Sequence, residues 1–219
     1  MKNRLSKLFR SFLIMLPLML LLVMTACDRE EEIEAASGYI ASAELTSQEE
    51  TLLKAVTGSS YLVFDIDITG DEIGWIEYWI EFYRNGTAEK RILGAGSRID
   101  QPLEEPQRLL ITFSFDSEGQ EETWNVALIH GDSMTRSNTS TEMPFRSPYS
   151  MTWGQAEHLD IYFEDEIVLA AIVAEDGSSS GVGISSGSLE DQEGLARIIE
   201  TNQYVYLIKC RFTEVPEEE

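Results

Sequence analysis

From Leu62 onward, apolar and polar residues alternate along most of the chain. Leu62, Phe64, Ile66 and Ile68 interleave with Val63, Asp65 and Asp67, the pattern of a half-buried strand. Residues 75–84 and 87–94 flank Asn85-Gly86, a pair whose left-handed backbone suits a two-residue hairpin turn. That turn sets Arg84 against Thr87, Glu81 against Lys90 and Trp79 against Ile92, and the opposite charges of Glu81 and Lys90 support the register. Leu109, Ile111, Phe113 and Phe115 predict a strand joined across Ser117-Glu118-Gly119 to a partner carrying Trp124, Val126 and Leu128. Leu159, Ile161 and Phe163 predict another. Ile167 to Val173 is apolar on both faces and reads as a central strand, and Tyr204 to Phe212 as the last.

Two helices interrupt this pattern. Ser47-Gln48-Glu49-Glu50 reads as a capping box before Leu52, Leu53 and Val56, with Gly58 as the stop, so a helix is expected over 47–57. Leu189 to Thr201 predicts a second, with Leu195, Ile198 and Ile199 inward. Residues 131–150 and 177–187 read as loops rich in Ser with Thr and Met or Gly. There is no βαβ alternation and no internal repeat. The expected fold is mainly β, with α+β possible: an antiparallel β-sandwich or strongly bent sheet of about eight strands with two short flanking helices.

The first 27 residues do not follow this pattern. Lys2, Arg4, Lys7 and Arg10 precede an apolar run from Phe12 to Met24, which ends in Thr25-Ala26-Cys27. A basic stretch, a short apolar core and small residues mark a secretory leader. Its core falls short of the roughly 20 residues of a membrane span. Met24-Thr25-Ala26-Cys27 resembles the lipobox of bacterial lipoproteins, with Met24 where Leu is usual. The resemblance implies cleavage before Cys27, diacylglycerol on its sulfur and a domain held on the extracytoplasmic face of a cell membrane. In a bacterium with two membranes, Asp28 resembles an inner-membrane retention signal. The expected organisation is a leader over 1–26, a lipidated acidic tether over 27–45, one β-rich domain over 46–214 and an acidic tail over 215–219.

Charge narrows the partners. All 39 Asp and Glu follow Cys27, while four of the 16 Lys and Arg precede it. The mature chain therefore carries 12 positive against 39 negative charges, a net of −27. Such a field repels nucleic acid and an anionic lipid surface alike. With Cys27 lipidated, Cys210 has no partner, and its alternation with Tyr206, Ile208 and Phe212 makes it a small buried hydrophobe.

Candidate chemistry is sparse. Gly183-Ile184-Ser185-Ser186-Gly187 matches the nucleophile-elbow string, with His130 and His158 as the available bases, but a loop rather than a strand precedes it. Asp65 to Asp71 opens like a calcium loop, yet Ile76 stands where the bidentate Glu belongs. No metal centre and no cofactor is expected. The most suggestive feature lies in the first hairpin, where Trp75, Trp79 and Tyr83 share a strand face with Glu77 and Glu81. Trp75 and Trp79 are about 13 Å apart on a strand, a row that suits sugar rings or a peptide if open, and core packing if covered. Arg136 and Arg146 are rare positive charges suited to an anionic group or to surface ion pairs. The leading expectation is a membrane-anchored, non-enzymatic binding or interaction module with a protein or glycan partner at the cell envelope. A serine hydrolase using Ser185 and a cation-binding domain are the alternatives.

Overall fold

A computed structural model of the chain describes residues 35–57, 60–99, 106–116, 118, 120–145, 149–177 and 184–216. The expected leader with Cys27, the expected helix stop at Gly58, Arg146 and Gly183 lie outside them.

Eleven strands are found among the described residues: β1 (Gly38–Ser42), β2 (Tyr61–Ile68), β3 (Trp75–Arg84), β4 (Thr87–Arg98), β5 (Gln107–Asp116), β6 (Glu121–His130), β7 (Ser133–Glu142), β8 (Tyr149–Gln155), β9 (His158–Ile161), β10 (Glu166–Asp176) and β11 (Tyr204–Thr213). They form two antiparallel sheets, ordered β7-β6-β5-β2-β1-β9 and β4-β3-β11-β10-β8. The expected antiparallel β-rich sandwich is present. Its core lies between the sheets, where Phe64, Tyr78, Phe82, Trp124, Tyr206 and Phe212 are all fully buried. Cys210 is among them, and burial pushes its thiol pKa well above the ordinary value.

Three strands exceed the expected eight. β1 occupies residues expected to belong to the tether and pairs with β2 and β9. β7 occupies most of the expected 131–150 loop. Its ten residues contain no apolar alternation, because it is an edge strand with both faces largely polar. β8 pairs with β10 from Tyr149 to Gln155 and forms the other sheet's edge.

The helices shift in detail. α1 (Ser47–Thr57) has its capping box one residue earlier than expected: Thr46 N donates to Glu49 Oε2 at 2.8 Å, and Glu49 N donates to Thr46 Oγ1 at 3.3 Å. The single helix expected over 189–201 is two, α2 (Gly187–Glu190) and α3 (Gln192–Thr201). Asp191 separates them in an extended conformation, and its carboxylate caps α3 by accepting from Glu193 N and Gly194 N.

The β3–β4 hairpin determines which side chains reach which face. Asn85 and Gly86 both have positive φ, 48° and 80°, as a primed turn requires. Arg84 faces Thr87 as expected, but two bulges displace the rest. Glu81 lies opposite Arg91 rather than Lys90, and Trp79 opposite Gly94 rather than Ile92. Each bulge adds one residue to β4, and each one-residue step reverses the face that follows. Lys90 therefore sits opposite Phe82 on the inner face, and Arg91 lies over Trp79 on the outer one.

Candidate functional site

The outer face of the five-stranded sheet carries the aromatic row expected from sequence. β3 brings Trp75, Glu77, Trp79, Glu81 and Tyr83 to this face, and β11 sets Lys209 beside Trp79 and Arg211 beside Glu77. The centre of the row, Trp79, is closed by its own neighbours, while Trp75 and Tyr83 are half-buried. Trp79 is only 3% exposed, and the Arg91 guanidinium lies 4.4 Å from its ring centroid. Trp79 Nε1 donates to Glu81 Oε1 at 3.1 Å, and the Tyr83 hydroxyl donates to Glu81 Oε2 at 2.8 Å. Lys209 Nζ lies 2.8 Å from Glu81, and Arg211 Nη2 lies 2.6 Å from Glu77. Tyr83 also packs against an apolar cluster of Val173, Val205, Leu207 and Ile198, which joins α3 to the sheet. Trp75 lies across Gly96, where a Cβ would stand 2.5 Å from the indole.

The titration behaviour reflects this closure. Burial of Glu81 works against its charge, but hydrogen bonds from Lys209, Tyr83 and Trp79 outweigh it and hold the carboxyl below its ordinary value. Burial and the bond to Glu81 push Tyr83 up to about 12. The strip is a hydrogen-bonded and ion-paired polar network over an aromatic floor in which the Arg211 Nε is left without a partner among the described residues, and stacking a flat ligand on Trp79 requires Arg91 to move away.

A second polar centre lies inside the sandwich. Glu122 on β6 is fully buried and accepts from the Tyr206 hydroxyl at 2.5 Å. Lys90 Nζ, re-aimed by the bulge, lies 3.6 Å from Glu122 Oε1. Phe115, which lies opposite Glu122 across the β5–β6 pair, forms with Trp124 and Tyr206 a set of rings whose centroids lie 5.4–5.8 Å apart. Glu122 Oε1 and Trp124 Nε1 have no hydrogen-bond partner among the described residues. Desolvation raises the Glu122 pKa, against the pull of Tyr206 and Lys90.

The family model of the YgaN domain matches residues 39–212, from β1 through β11. The chain belongs to the YgaN domain family. No curated protein and no solved structure gives a significant match.

Within this YgaN domain, the other expected groups engage local partners. The Ser185 hydroxyl shares a hydrogen bond with Ser188 Oγ at 2.7 Å. His158 stacks on Tyr39 with ring centroids 5.0 Å apart and lies 3.9 Å from Asp160. His130 lines a small polar hollow of about 90 Å³ with Ser97, Gln107 and Ser133. Asp65 is taken up by Arg108, which donates to both of its carboxylate oxygens and to Glu49. Arg136 donates to Asn125 Oδ1 at 2.8 Å. Among the described residues, no three His, Cys, Asp or Glu side chains converge on a metal-sized site.

Sequence reasoning missed the Glu122 centre, although a signal was present. The alternation of Trp124, Val126 and Leu128, extended back by one step, places Glu122 inward. It also missed that three exposed apolar side chains gather elsewhere. Leu52, Val56 and Met134 line one hollow between α1 and the outer face of the six-stranded sheet.

Proposed function

We propose that the chain is an exported lipoprotein, anchored through a lipid on Cys27, whose YgaN domain is a non-enzymatic binding module on the extracytoplasmic face of the membrane. The anchoring half rests on the order of basic, apolar and small residues that ends at Cys27. The observation that carries the binding half is the gathering of Leu52, Val56 and Met134, three of the large exposed apolar side chains, around one hollow of a strongly acidic domain. Contiguous exposed apolar surface marks interaction sites. The aromatic strip is less suited to this role, because Glu77, Glu81, Arg91, Lys209 and Arg211 already engage it.

Growth of the producing cells with an alkyne-tagged fatty acid tests the anchor. The native protein is expected to take up the tag, and Cys27→Ser to lose it completely. Tag retained by the variant, or absent from the native chain, contradicts the reading.

A further inference from the structure

α1 rides on the outer face of the six-stranded sheet without burying any of its own residues. Leu52 and Val56 are 59% and 83% exposed, and Met134 on β7 across from them is 61% exposed. Leu110 and Ala127 line the same space, and an adjoining hollow shares Leu52, Leu53 and Leu110 and reaches Ile129. The two hollows have volumes of about 310 and 250 Å³. That is the scale of a small-molecule site, walled mainly by aliphatic carbon.

The two cations of this groove differ. Arg108 is neutralised by Asp65 and Glu49. Arg136 is exposed, and among the described residues its polar partner is the neutral Asn125 amide. An apolar trough with an unneutralised guanidinium at its rim complements a ligand with one greasy chain and one anionic head. The net charge that repels an extended anionic surface acts less strongly on a single anionic head group. Charges more than about 8 Å away are largely screened at physiological ionic strength.

We propose that the groove between α1 and strands β5, β6 and β7 binds the acyl chain of an anionic single-chain amphiphile, with its carboxylate or phosphate against Arg136. This rests on the reading of the domain as a binding module and adds the class of ligand. The apolar walls hold the chain by removing it from water, and the guanidinium fixes the direction in which it lies. Each further methylene taken into the groove is expected to tighten binding about fourfold, from roughly 0.8 kcal/mol per buried CH₂.

Photo-crosslinking of the full chain in its own membranes tests this, with diazirine-bearing octanoate, decanoate and dodecanoate as probes. Adducts are expected on the α1 and β7 peptides that contain Leu52, Val56 and Met134, rising with chain length. Leu52→Asp with Val56→Asp is expected to abolish them. Both positions are solvent-exposed, so the urea midpoint should stay near that of the native chain. Arg136→Gln is expected to cut labelling by the carboxylate probes about tenfold and to leave the matching fatty-alcohol probe unchanged. Competition by dodecyl phosphate or by dodecanoate tells a lysophospholipid source from a free fatty acid, and either supports the proposal. Adducts indifferent to the Asp substitutions overturn it. So do carboxylate and alcohol probes affected equally by Arg136→Gln, or crosslinks between two copies through α1 without acyl adducts. Lipid tagging at Cys27 that persists alongside such a failure leaves the anchored-module reading intact and removes only this ligand.

Discussion

Cutting Trp79 back to alanine is expected to destabilise the fold by about 3–5 kcal/mol, the usual range for removing a buried indole. The side chain is 3% exposed, so its loss opens a hole in a covered face and does not strip an open platform. Two partners lose contacts with it. Arg91 is left above an empty space where it now meets the ring at 4.4 Å, and Glu81 loses the Nε1 donor at 3.1 Å. Burial of Glu81 already penalises its charge, so a lost donor adds to the effect. Urea unfolding measures the outcome as a shift in midpoint with little change in slope. A fall of under 1 kcal/mol would mean that the strip is loosely held and that Arg91 is not its lid.

Lys90→Met is expected to cost about 2 kcal/mol at neutral pH, and adding Glu122→Gln to the same chain to return most of it. Removing one partner of a buried pair leaves an uncompensated charge, whereas removing both charges is close to neutral. The expected cost is below the usual extreme because Lys90 keeps partial access to solvent and sits 3.6 Å from the carboxylate. The pH dependence follows in sign. Glu122 has a raised pKa in the folded state. Its contribution is therefore fully present below the unfolded value, about 4.3, and is lost as pH rises through the higher folded one. The Lys90→Met penalty should shrink as pH falls through that window, because Glu122 takes up a proton and no longer needs a cation. Glu81 runs the other way. Its folded pKa is lowered, so its contribution is present above the unfolded value and fades as pH falls below it. A double variant no more stable than Lys90→Met would show that Lys90 acts through its aliphatic stem and not its charge.

Much of the sandwich was legible because burial imposes a period of two. Leu62 to Ile68, Leu109 to Phe113 and Trp124 to Leu128 each carry their core face in plain alternation, and each is a strand. β7 was not legible. Ser133 to Glu142 is an edge strand paired only with β6, and little of it is removed from water, so nothing forces an apolar period upon it. β1 was hidden for a different reason. Its five residues include Gly38 and Ser42 at inward positions, which dilutes the signal of Ile40.

The hairpin shows how far a local rule reaches. Asn85-Gly86 located the turn correctly, and Arg84 faces Thr87 as that turn demands. The bulges beyond it arise from tertiary demands that the turn does not encode. One of them sends Lys90 inward, toward a carboxylate 32 positions further along the chain. The aromatic row was identified residue by residue on one strand face. Its closure was not readable, because the groups that close it, Arg91, Lys209 and Arg211, come from β4 and β11. The groove beneath α1 escaped for the converse reason. Leu52, Leu53 and Val56 form a helical stripe that ordinarily signals a buried face, and only the packing shows Leu52 and Val56 left in solvent.

Hydroxyl-radical footprinting of the native chain, read residue by residue, tests most directly which face is shut and which is open. Leu52, Val56 and Met134 should be oxidised rapidly, and Trp79 should be spared while Trp153, 37% exposed, is attacked. Trp79 oxidised as fast as Trp153, with the α1 face protected, would reverse the assignment of the binding surface.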